Sequence, residues 1–277
     1  MPAQPPLESK HSIDGLEIAV WEWPGLEPTV VFCHATGFHG RCWDQIVGRL
    51  DGRRSIALDF RGHGRSSKPA PPYHWRRIGN DLAGLTERLE IEAAIGVGHS
   101  MGGHSVVLAA ARNRKAFSSL LLLDPVIFPE AAYTGANESL DFVLRRKNVW
   151  ESAGQMFERF SNKPPYSSWD RAVLRDYCDY ALEGSAPACP PEVEASIYAH
   201  STEQDANIYA EIATVTAAVD VVRSSESYDY GRFQGSPTSP DLASHFQHGT
   251  DRRLPHVSHF IPMEAPALVA ELILRLS

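Results

Sequence analysis

The chain has 277 residues, of which 43% are hydrophobic, and a formal net charge of −8 at pH 7. That length allows one large domain or a core domain with an insertion, and the composition suits a globular protein with a sizeable core. The acidic balance argues against nucleic-acid partners, and no apolar run is long enough to span a bilayer.

In chain order, Lys10 to Ile13 and Leu16 to Trp23 flank Asp14-Gly15, a hairpin signal. Thr29 to Cys33 is a short apolar strand that leads into His34-Ala35-Thr36-Gly37-Phe38. Cys42 to Leu50 is expected to be helical, and Arg54 to Asp59 a strand. From Trp75 to Glu90, Ile78, Leu82, Leu85 and Leu89 share one helical face. Ala93 to Val97 reads as a buried strand, Met101 to Ala111 as a helix, and Ser119 to Asp124 as another buried strand. Apolar strands alternating with helices imply a parallel sheet covered on both faces, an α/β architecture.

After Pro125 the pattern changes. From about 126 to 212 the sequence shows helical stretches (137–150, 151–160, 169–182 and 192–200), no clear strand, and repeated prolines. We expect a helical cap, leaving 1–125 and 213–277 as the core domain. The sheet resumes over Ala217 to Arg223. A helix near Ser239–Gln247, a weak strand at Thr250–Leu254 and a last helix from about Glu264 to Leu276 complete the chain.

Gly98-His99-Ser100-Met101-Gly102 puts a serine between two glycines where a strand turns into a helix. Such a turn strains the serine backbone, and side chains at the flanking positions would collide with the strand and helix that meet there. It lifts Ser100 Oγ out of the sheet, over a helix N-terminus whose free N–H groups face a developing negative charge.

Cys33, Cys42, Cys178 and Cys189 have neither framework nor C-x-x-C spacing, which predicts reduced thiols. The N-terminus has neither the basic nor the apolar region of a secretory leader, so a cytoplasmic location is expected. None of the 12 histidines falls in an H-E-x-x-H pattern, so no metal or cofactor is expected. Arg145-Arg146-Lys147 reads as a solvated helix face.

With four stations in order, the chain resembles the α/β-hydrolase superfamily. They are His34 to Phe38; Asp59-Phe60-Arg61-Gly62-His63-Gly64-Arg65-Ser66; Gly98 to Gly103; and Val257-Ser258-His259-Phe260-Ile261-Pro262-Met263-Glu264. The resemblance implies a mostly parallel sheet flanked by helices, with Ser100 as nucleophile and His259 as general base. His256 is the rival base. His99 is expected to pack beside the nucleophile, His104 to be a satisfied core or surface residue, and His34 to organise the oxyanion loop.

By the same resemblance, the oxyanion donors are the N–H groups of Met101 and Thr36. Ala35 stands where relatives carry glycine, and alanine resists positive φ. The triad acid is Asp124, at the end of the strand before the cap, or else Asp229 or Glu226. The more common position, after the strand that follows the cap, reads Ser224-Ser225-Glu226-Ser227, with serine where aspartate is expected. Asp59 and Arg61 are expected to fix neighbouring loops rather than to act in catalysis.

The implied reaction is acyl transfer to water, on a small-molecule ester or lactone, by a monomer or homodimer. Carbon–carbon bond hydrolysis, thioester or amide hydrolysis and peroxide chemistry on the same residues are the alternatives. A ligand-binding protein that has lost turnover is a further one.

Overall fold

The computed structural model describes residues 5–136, 140–225 and 236–276. Strands β1 (Leu7–Ile13) and β2 (Leu16–Trp23) form the expected hairpin, with Asp14 and Gly15 at φ 48° and 77° in its turn. Next come β3 (Leu26–Cys33), α1 (Asp44–Val47), β4 (Arg53–Leu58), α2 (Trp75–Arg88), β5 (Ala94–His99), α3 (Met101–Arg112) and β6 (Phe117–Leu123). The following stretch holds α4 (Asp141–Leu144), α5 (Ala153–Ser161), α6 (Arg171–Tyr180), a ribbon of β7 (Leu182–Glu183) and β8 (Ala186–Pro187), α7 (Pro191–Ala199) and α8 (Tyr209–Ile212). Finally, β9 (Ala218–Ser224) and β10 (Gly249–Leu254) precede α9 (Ile261–Glu264) and α10 (Pro266–Leu274).

The main sheet has 8 strands in the order β1-β2-β4-β3-β5-β6-β9-β10. Every pairing from β4 to β10 is parallel, and β2 runs antiparallel to both neighbours. The chain passes from β3 to β4 on one side and then returns to place β5 on the other. The loops after β3 and β5 therefore diverge at their carboxyl ends, where open α/β sheets leave a crevice for ligands.

Strand periodicity divides the core. Val31, Leu120 and Leu122 face α2 and α3, packing with Trp75, Ile78, Leu82 and Val106. Val30, Phe32, Leu121 and Leu123 face the other way, onto Trp43, Ile46, Val269 and Ile273. A third cluster joins the loop after β3 (Ala35, Phe38) to Trp150, Phe157, Trp169 and Val173 of the helical stretch, and to Phe260 and Met263.

Several boundaries differ from the sequence reading. The helix expected over Cys42–Leu50 is a 3-10 turn, Gly40–Trp43, followed by the short α1. Of the 137–150 helix only α4 forms among the described residues; Leu144 and Val149 are exposed while Val143 and Trp150 are buried, so no continuous apolar face runs through it. The β7–β8 ribbon was not expected; Gly184, at φ 64°, turns it. The helix near Ser239–Gln247 is a 3-10 turn, Leu242–His245. The C-terminal helix is broken by Pro266, with Ala265 at φ −132° and ψ 55°, outside helical geometry.

Candidate active site

Ser100 lies between β5 and α3 at φ 56° and ψ −119°. Such a conformation costs about 1–3 kcal/mol and persists only where the surroundings enforce it. The close approach of β5, α3 and the end of β3 is what enforces it. A Cβ on Gly98 would come 2.5 Å from Gly102 O, and one on Gly102 would come 2.1 Å from Cys33 O. Only glycine permits both contacts. Ser100 N–H donates to Leu123 O and Ser100 O accepts from Val126 N–H, tying the turn to the end of β6.

That same end of β6 carries Asp124, fully buried and at φ 46°. His259 is brought to it by the loop before α9, with Nδ1 at 2.7 Å from Asp124 Oδ2 and Nε2 at 3.1 Å from Ser100 Oγ. Asp124 can only accept at Oδ2, so Nδ1 carries the proton and Nε2 presents its lone pair to the serine hydroxyl. Burial pushes the Asp124 carboxyl up. Hydrogen bonds and charge from His259, with donors from Ser236 and the Ser224 N–H, outweigh burial and hold it below the usual carboxylate range. Ser224 donates twice, from N–H at 3.0 Å and Oγ at 2.9 Å, and Ser236 Oγ also donates to Oδ1. The end of β9 thus supplies donors to an acid that directly follows β6. Glu226 and Asp229 lie outside the described residues.

The His259 loop is pinned on three sides. His99 Nε2–H donates to the His259 carbonyl at 2.8 Å, while its buried Nδ1 has no hydrogen-bond partner among the described residues. Burial first, and the neighbouring His259 charge second, lower the His99 pKa to about 3 and keep the ring neutral. Glu264 accepts from Ser258 N–H and Oγ, and Asp170 N–H donates to Met263 O. His256, the rival base, is exposed at φ 60°, and the ring that reaches Ser100 belongs to His259.

The loop after β3 is fixed from beneath by the loop after β4. His34 donates from Nδ1 to Ala35 O at 2.7 Å and accepts Phe60 N–H at Nε2 at 3.0 Å. His63 accepts Gly37 N–H at Nε2 and donates from Nδ1 to Arg61 O, both at 3.0 Å. Asp59 accepts from Gly40 N–H at 2.7 Å and Arg65 N–H at 2.8 Å. Arg61 pairs with Asp81. Ala35 does not have positive φ; Gly37, at φ 83°, takes the left-handed conformation instead. The Thr36 hydroxyl contacts Met101 Sδ at 3.4 Å, so the two expected oxyanion residues are neighbours. Among the described residues neither N–H takes part in a backbone bond outside helices and strands, and Met101, first in α3, has no carbonyl four residues back in its helix.

Aromatic side chains cover this arrangement. Phe38 packs against Trp169, Tyr177 and Phe260 at centroid distances of 5.6, 5.3 and 6.1 Å, and Trp169 lies 5.2 Å from Phe260. Ser100 is only 7% exposed. His104 lies elsewhere, buried, with Nε2 on Ala206 O.

His63, His99 and Ser224 were not singled out from the sequence for these bonds. The signal for His63 lay in the second station, whereas the Ser224 pairing with Asp124 spans 100 residues and leaves no local trace.

The pattern of the family described as "Alpha/beta hydrolase family" matches residues 30–272. A 2-(acetamidomethylene)succinate hydrolase of Mesorhizobium japonicum is 33% identical over 135 residues, covering 48% of this chain and 45% of that protein. An epoxide hydrolase of Caballeronia sordidicola is 30% identical over 178 residues, covering 63% of this chain and 52% of that one. The chain therefore spans about half the length of these curated relatives. The crystal structure of E-2-(acetamidomethylene)succinate hydrolase superposes with a TM-score of 0.79 at 22% identity, covering 98% of both chains, a likeness of fold. No helix among the described residues is long and apolar enough to cross a membrane. With its sheet order, its strained serine turn and a match over nearly its whole length, the chain belongs to the alpha/beta hydrolase family.

Proposed function

We propose that the protein is a serine hydrolase that cleaves carboxylic esters or lactones of small to moderate size through an acyl-enzyme. The observation that carries this reading is the continuous hydrogen-bond path from Ser100 Oγ through His259 to Asp124. A neutral hydroxyl is a weak nucleophile, and an imidazole positioned to take its proton activates it as the acyl carbon is attacked. Asp124 holds the ring in the required tautomer and stabilises the imidazolium without taking its proton. The N–H groups of Thr36 and Met101 receive the oxyanion, each worth about 3 kcal/mol in the transition state. His259 then protonates the leaving group, and a second cycle with water frees the acid. Residues 126–212 act as a cap whose aromatic side chains, Trp169 and Tyr177 among them, supply the apolar surface for the substrate.

A second reading is amide cleavage by the same attack. It is favoured by the 33% identical relative whose name is that of a 2-(acetamidomethylene)succinate hydrolase. Epoxide opening, the chemistry in the name of the 30% identical relative, is not favoured: by the superfamily resemblance it calls for aspartate at the nucleophile position, where this chain has Ser100.

The test is fluorophosphonate labelling followed by a substrate panel. Stoichiometric modification at Ser100 is expected, with Ser100→Ala unlabelled and inactive on short p-nitrophenyl esters. A panel of esters, lactones, amides, thioesters and vinylogous diketones separates the readings. Folded wild-type protein that resists the label and turns over none of them would reject the proposal in favour of a binding role.

A further inference from the structure

A second group of chemistry-bearing side chains lies where α2 meets the turn after α7. His74 precedes α2 in extended geometry, His200 ends α7, and Glu203 follows three residues later. The donor atoms of His74, His200 and Glu203 all lie within 4.8 Å of one another, and all three residues are half-buried. His74 and Glu203 border a surface depression of about 450 Å³ that Arg77, Gly135, Gln204 and Asp205 also line. The sequence motifs for metal sites miss this set because His74 is more than a hundred residues from the other two.

We propose that His74, His200 and Glu203 bind one divalent transition-metal ion of the zinc class. Geometry supports it at three points. His200 Nδ1 lies 2.5 Å from Ser196 O, an atom that can only accept, so Nδ1 carries the proton and the Nε2 lone pair is left for a metal. A backbone carbonyl on the second ring nitrogen is the usual way a metal-binding histidine is oriented. His74 Nδ1 lies 3.1 Å from Glu203 Oε2, a hydrogen bond in which Nδ1 donates and whose proton an incoming ion would displace, and His200 Nε2 lies 4.0 Å from Glu203 Oε1. Donors about 2.0–2.1 Å from a tetrahedral ion sit about 3.3 Å apart, between those two separations. The rings of His74 and His200 meet at 75°, so their lone pairs can converge on a shared point rather than run side by side. Two imidazoles and one carboxylate is also a donor set that zinc accepts, with water from the depression as the fourth ligand.

The surroundings are compatible with a cation. Arg76 is paired with Glu211 and lies near Asp205, and among the described residues lining the depression Arg77 is the one arginine or lysine. His200 follows the carbonyl end of α7, the end of a helix that favours positive charge. Such an ion would reinforce contacts already tying this turn to α2, namely Trp75 Nε1–H to Ile197 O at 2.8 Å and Tyr73 N–H to Ser196 Oγ at 2.9 Å. Its role is a pin between the helical stretch and the core, apart from Ser100.

The test is titration of the intact chain with Co²⁺ and with Zn²⁺. We expect one Co²⁺ per chain, with visible absorption of a nitrogen–oxygen site and no thiolate charge-transfer band. Zn²⁺ should compete for it and raise the melting temperature saturably, by mass action on the folded state. His74→Ala, His200→Ala and Glu203→Gln should each weaken binding at least about tenfold. Ester turnover at saturating substrate should be unchanged in these variants. No stoichiometric binding by the wild-type chain, a thiolate spectrum implicating the half-buried Cys189, or undiminished affinity in the folded variants would each overturn the proposal. Should a variant fail to fold, the wild-type Co²⁺ spectrum decides by itself.

Discussion

Asp124 is the residue on which the proposed chemistry turns, because His259 presents its lone pair to Ser100 only while Nδ1 has an acceptor to donate to. Asp124→Asn keeps the size of the side chain and removes the charge. Its amide can offer hydrogen to the ring and so favour the wrong tautomer. We expect kcat to fall by about 10⁴ with KM within a few-fold, the scale set by the equivalent change in serine proteases. Glu226→Gln and Asp229→Asn should leave kcat nearly unchanged, and the opposite ranking would reject the assignment. Ser224→Ala tests the same carboxylate through pH. Removing the Oγ donor at 2.9 Å destabilises the charged form, so the Asp124 pKa rises. The acid limb of kcat/KM should therefore move to higher pH in the variant. A limb that stays in place would mean that the hydroxyl only packs there.

Among the elements, the β5–Ser100–α3 turn was legible because its constraint is local: two glycines, a strand before and a helix after. The hairpin at Asp14-Gly15 was legible for the same reason. The acid remained open between Asp124, Asp229 and Glu226 because its partners, Ser224, Ser236 and His259, arrive from distant strands and loops. In the helical stretch, the helices expected at 151–160, 169–182 and 192–200 form as α5, α6 and α7, whereas that expected over 137–150 is reduced to α4 among the described residues and the β7–β8 ribbon was missed. What holds the stretch to the core is a set of contacts among aromatic rings, which no local period announces. Trp169 is the centre of those contacts, buried against Phe38, Tyr166, Tyr177 and Phe260. Trp169→Ala should cost about 3–5 kcal/mol, as large aromatic truncations in cores do. Because Phe38 lies in the loop after β3 that carries Thr36, and Phe260 follows His259, turnover should fall as well. Urea denaturation and limited proteolysis over 150–182 check this. Unchanged stability would show that the rings do not hold the stretch to the core.

At the scale of the whole molecule, five buried histidines are set against folding at low pH. Burial lowers the pKa of His39, His63 and His104 to about 4 and of His99 to about 3, and brings His34 well below its ordinary value. Unfolded, each would titrate near 6.5, so below that pH the unfolded chain binds protons that the folded chain refuses. Stability from these groups is present above pH 6.5 and is lost as pH falls toward 4. Each unmatched proton contributes about 1.4 kcal/mol per pH unit. Buried carboxyls oppose this. Asp176, raised to about 6 by burial, gains a proton in the folded state over the same range, and Asp44, Asp59 and Asp81 are shifted in the same direction. Between about pH 6.5 and pH 5 the five lowered imidazoles outnumber these four carboxyls. Asp124 adds a loss at still lower pH, as its folded value lies below 3.8. The urea midpoint should therefore decline steeply from about pH 6.5 to about pH 5. His104→Gln, which keeps a donor for Ala206 O while removing one titrating ring, should make that decline shallower. A midpoint that stays level through this range would mean that the buried rings take up protons without unfolding, and the neutral tautomers assigned to the loops beneath Thr36 and beside His259 would then fail with it.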